Sequence, residues 1–147
     1  MTVEEAIAAR VAELAPVVAI VSGRVYLERL PHSPTFPAVL VQIVDDPSRY
    51  HLRGVDGVKR ARVQVDAFAR ESSGVDAYAA VTGLAEAIDG NGNGTAASGL
   101  SGWKGHVGSP PFVILGCFRA DRLRRYDPDE LNLLTMSQDY MVSYTGS

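Results

Sequence analysis

Three histidines, one cysteine and seventeen carboxylates are the groups with which this 147-residue chain could do chemistry, and their spacing decides what each could do. His32, His51 and His106 stand far apart. None forms the i, i+4 pair or the HExxH pattern that presets two metal ligands on one helix face, so they read as surface or locally bonded side chains. Cys117 is alone, which excludes an internal disulfide and a cysteine cage for zinc; it reads as a small buried apolar residue. Gly99-Leu100-Ser101-Gly102-Trp103 imitates a nucleophile elbow until its last position, where tryptophan replaces the small glycine of that motif. Gly90, Gly92, Gly94 and Gly99 miss the spacing of a dinucleotide loop and follow a helix pattern instead of a strand. Asp45-Asp46 and the group Asp127, Asp129 and Glu130 sit at turns, and adjacency in sequence does not make carboxylates face each other across a substrate. The sequence predicts no catalytic residue, no cofactor and no metal.

What remains are features suited to contact with another surface. Arg119, Arg122, Arg124 and Arg125, beside Tyr126, form the densest charge cluster. Asp121, Asp127, Asp129 and Glu130 surround it, which favours protein contact through mixed ion pairs, or a solvated strand end, over nucleic-acid binding. Trp103 is isolated in a polar stretch; such an aromatic either anchors an interface or folds back onto its own domain.

These residues hang on a recognisable order of elements. Thr2 and Glu5 have capping-box spacing, and Val3, Ile7, Val11 and Leu14 recur at helical intervals, predicting a helix over 2–15 that ends or kinks at Pro16, with a short further turn through Val17 to Val21. Arg24 to Leu30 reads as a short strand, the three prolines of 31–37 as a loop, and Ala38 to Val44 as a strand covered on both faces. The segment Asp45 to Gly57 is turn-rich, with a short edge segment at Tyr50 to Leu52. Residues 59–69 alternate apolar Ala61, Val63, Val65 and Ala67 with polar Arg60, Arg62, Gln64 and Asp66, as a strand with one packed face does. Ser72 or Ser73 caps a second predicted helix to Asp89, whose apolar stripe includes Ala77, Tyr78, Val81, Leu84, Ala85 and Ile88 and which Gly90 stops. Residues 90–111 read as a long Gly/Asn/Ser loop, Phe112 to Arg119 as a strand followed by a charged stretch, and Leu134 to Tyr144 as the last strand. The sum is one α+β domain over 1–147, a mostly antiparallel sheet with two main helices packed on one face.

Composition agrees. Hydrophobic residues make up 46% and charged residues 21%, enough for one core and too apolar for a disordered chain. The net charge of −3 argues against a general nucleic-acid binder. The acidic start Met-Thr-Val-Glu-Glu and the lack of a long apolar run argue against secretion and a membrane anchor. Asn93-Gly94-Thr95 therefore reads as an accidental glycosylation match.

Read together, Gly23-Arg24-Val25-Tyr26, Leu30-Pro31, Phe36-Pro37-Ala38-Val39, the strand Ala61 to Ala69, the helix from Tyr78 to Ile88 and the stretch Asp121 to Tyr126 resemble the tail completion, or tail terminator, family of long-tailed phages and gene transfer particles. The segment Gly90 to Pro111 is longer and richer in glycine than that pattern. The resemblance implies a structural virion protein made in the bacterial host cytoplasm and placed at the tail–neck junction. It further implies a homo-oligomeric ring, commonly a hexamer, that contacts the tail tube protein and the neck or connector proteins, with DNA only passing through. Contact elements expected on this reading are the loops Asp46 to Val58 and Gly90 to Pro111, and the stretch Arg119 to Tyr126. Two other readings stay open: another head–tail connector such as an adaptor or stopper, and a small ligand-binding domain or enzyme with a pocket under the 90–111 loop.

Overall fold

The computed structural model describes residues 2–45, 58–71, 76–90, 98–108, 112–127 and 132–145. Helix α1, Val3–Glu13, starts as its sequence dictates: the Thr2 hydroxyl accepts from the Glu5 amide (3.3 Å) and the Glu5 carboxylate accepts from the Thr2 amide (3.1 Å). Val3, Ala6, Ile7 and Val11 form its buried stripe. A straight continuation would press the Pro16 ring on the carbonyl four residues back. Leu14 instead adopts an extended conformation, and a second helix, α2 (Ala15–Val21), restarts with proline in its first turn, where no donor is missed. The expected short turn is thus a full helix, ended by Ser22 and Gly23 at positive φ.

Strand β1 (Val25–Leu27) runs parallel to β2 (Ala38–Asp45). All other pairings are antiparallel: β2 with β3 (Lys59–Arg70), β3 with β6 (Leu133–Thr145), β6 with β5 (Phe112–Asp127), and β5 with β4 (Gly105–Val107). The sheet order is β1-β2-β3-β6-β5-β4. Ala61, Val63, Val65, Ala67 and Ala69 of β3 are buried on the alternating pattern and join Val39, Val41, Tyr140 and Val142 in the core.

Helix α3, Ala77–Asp89, packs on β3 and β6, while α1 packs on β1 and β2 and α2 on α1 and α3. Asp76 caps α3, its carboxylate accepting from the Tyr78 and Ala79 amides at 3.1 and 3.3 Å; the expected caps Ser72 and Ser73 lie outside the described residues. Three differences from the sequence reading matter here. There are three helices where two main ones were expected. The 90–111 segment contains β4. The charged stretch after Arg119 continues β5 as strand to Asp127. The α+β class and the mostly antiparallel sheet hold. Among the described residues no helix is long and apolar enough to cross a membrane.

Candidate interaction surface

Groups that could do chemistry are built into the fold. Among the described residues no three His, Cys, Asp or Glu side chains gather to hold a metal. The buried Cys117 thiol is pushed up from 9.0 to about 12, mainly by desolvation, with the Asp89 charge adding and Arg10 opposing; a thiol so rarely ionised is a poor nucleophile. Tyr140 is raised as well, first by burial, then by the charge and hydrogen bond of Asp89. Both groups stay protonated in the fold where an unfolded chain would ionise. Their stabilising contribution is therefore whole below about pH 9 and is lost as pH rises toward 12. Urea midpoints are expected to drop between about pH 8 and about pH 10.5, less steeply in Cys117→Ala; equal midpoints would contradict this burial.

A cavity of about 160 Å³ lies on the sheet between Gln64, Asp121, Leu123, Arg125, Ser137 and Asp139. Small-molecule sites occupy roughly 300–1,000 Å³. Its polar lining is also engaged internally. Asp139 accepts from Arg62 (2.9 Å) and Gln64 donates to Asp66 (2.9 Å). Asp121 accepts from the Arg122 amide (2.8 Å) and Arg125 donates to Ser137 (3.2 Å). This is a dimple in a surface, without an orphaned group to grip a ligand.

The far half of β5 is the most distinctive surface. Side chains alternate across the strand. On one row, Arg119 donates to Asp89 (3.1 Å), Arg122 to Glu86 (2.8 Å) and to Gln138 (2.6 Å), the Arg124 guanidinium lies 4.8 Å over the Tyr78 ring, and Tyr126 donates to Asn132 (2.7 Å). That row binds β5 to α3, and it explains why so charged a stretch remains a strand. Phe118, Leu123 and Arg125 lie on the other row, exposed. Tyr78, expected in the apolar stripe, is exposed beside Arg124. Of the sequence candidates, Arg119, Arg122, Arg124 and Tyr126 thus share one row of β5, and Arg125 lies on the opposite row of the same strand.

Trp103 is elsewhere. Only 6% exposed, it joins the core under the Arg10 guanidinium, 5.0 Å from its ring. Of the two courses open to it, the fold takes the second, packing into its own domain. The exposed Phe118 and Leu123 were missed by the sequence reading because alternation in a strand marks a face without saying whether anything covers it. Most of the Asp46 to Val58 loop, and 91–97 and 109–111 of the other expected contact loop, lie outside the described residues.

Four arginines, Phe118, Leu123 and Tyr126 thus lie along the far half of β5. The comparisons define the class of the protein. The profile of the family "Tail completion protein gp17" matches residues 5–142, and the chain belongs to that family, structural proteins of phage-type tails. Among solved structures, the fold is similar to a chain from "Virion of native gene transfer agent (GTA) particle", with a TM-score of 0.57 and 13% identity over 98% of this chain and 95% of that one. No curated protein matches.

Proposed function

We propose that this chain closes into a homo-oligomeric ring, a hexamer, on the head-proximal end of a tail tube, where it stops tube growth and offers the neck proteins their attachment face. In this reading it is not an enzyme, and it works in the neck of a phage or phage-derived particle. The observation that carries the reading is the family match over nearly the whole chain. The fold likeness to a chain of a gene transfer agent virion supports it. A ring subunit needs two different lateral faces, since head-to-tail contacts close only when the rotation per subunit divides the circle. Arg119, Arg122, Arg124, Arg125 and Tyr126 are proposed to lie at such a face; Trp103 is buried in its own subunit.

The test is genetic and visual. Cells producing the particle without this chain are expected to yield filled heads lacking tails and free tails of uncontrolled length, with normal particles restored when the chain is supplied. Normal-length tails firmly joined to heads in its absence would overturn the reading.

A further inference from the structure

We infer that the outer edge of β5 from Phe118 to Tyr126 is where a second copy of this chain docks, by main-chain and aromatic contact. The inference rests on the ring reading and adds the place and chemistry of the contact.

Three observations point there. The first is an open sheet edge. Strand β4 covers only 112–114 of β5, and the Gly102 amide reaches the Cys117 carbonyl at 2.7 Å. Beyond that point no strand lies along the outer edge among the described residues. Leu123 to Tyr126 pair with β6 on their inner side, and alternate main-chain groups along an edge strand point away from the partner strand. The Asp121 carboxylate occupies the Arg122 amide, and the outward groups beyond it are ones that an added strand or loop would satisfy. The second is composition. Phe118, Leu123, Tyr126 and Tyr78 are each more than half exposed, among arginines, the residue mix of interface hot spots. Two of them are held in place, Tyr126 by Asn132 and Tyr78 by Arg124, so little side-chain freedom remains to be lost on docking.

Charge is the third observation, and it selects the partner. Residues 119–127 carry four arginines and two aspartates, net +2. The other residues hold ten basic and fifteen acidic side chains, net −5, which together restore the chain's −3. Arg119 and Arg122 are matched by Asp89 and Glu86, whereas Arg124 and Arg125 have no carboxylate partner among the described side chains. The net −5 of the rest of a second copy complements this basic stretch and disfavours nucleic acid.

Leu123→Cys tests this in the assembled particle. Cys117 is buried and protonated, so a photo-activated cross-linker on the new thiol reports one position. Val18→Cys, exposed on α2, serves as the control. The expected product joins Leu123→Cys to a peptide of another copy. Adding Arg124→Glu and Arg125→Glu should lower its yield about tenfold, and Arg124→Gln with Arg125→Gln less, in chains that retain the parent's urea midpoint. Cross-links to DNA, to a different protein, or at control level overturn the contact while leaving the tail role intact if the chain is still on tails. A chain absent from purified particles overturns both.

Discussion

Replacing Asp89 with alanine is expected to destabilise the isolated domain by about 3 kcal/mol, because one carboxylate at the end of α3 joins three otherwise separate parts of the fold. Its Oδ1 accepts from the Tyr140 hydroxyl at 2.9 Å and from the Ser101 hydroxyl, and its Oδ2 accepts from Arg119 at 3.1 Å. A carboxylate at a helix C-terminus faces the negative end of the dipole, so these bonds must outweigh an unfavourable position. They differ in worth. Arg119 is about a third exposed, and water screens its share. Tyr140 is fully buried, and truncating Asp89 leaves its hydroxyl without an acceptor, which dominates the loss. With a urea slope of roughly 1–3 kcal/mol per molar, the midpoint should fall by about 1 M or more. Asp89→Asn, which keeps an acceptor for Tyr140, should lose clearly less. Equal losses for the two variants would show that charge, and not the buried hydroxyl, sets the effect.

That network also shows where sequence reasoning stops. The start of α1 was legible because its capping partners are three residues apart, and the core face of β3 because alternation is local. The α3 stripe was legible for the same reason, save at Tyr78, whose place beside Arg124 depends on a strand far along the chain. The charged end of β5 looked like the end of a strand. It remains one because Arg119 and Arg122 meet Asp89 and Glu86, thirty and thirty-six residues away, and no local pattern encodes a contact of that range. Likewise, the arginine cluster was legible as a candidate contact from its density alone. That its members divide between one row bound to α3 and one row facing outward follows only from the register of β5 on β6.

Trp103→Ala is expected to cost the isolated domain about 3–5 kcal/mol, the range for emptying a large aromatic from a core. The segment it holds has little else of its size to bury: Leu100 beside it, with main-chain bonds from Leu100 to Ile88 (2.8 Å), Ser101 to Asp89 (3.0 Å) and Gly102 to Cys117 (2.7 Å). Above the ring lies Arg10, which also donates to the Gly99 carbonyl at 3.3 Å. The indole is packed so closely that a Cβ on Gly105 would stand 2.9 Å from its nitrogen. Removing the indole should therefore loosen residues 98–108 as a unit, β4 included, and speed amide exchange at Gly102 more than at α1. An interface anchor would behave oppositely. Its loss would spare the urea midpoint of the isolated chain and weaken only assembly, so a Trp103→Ala domain as stable as the parent would return this residue to the list of contacts between subunits.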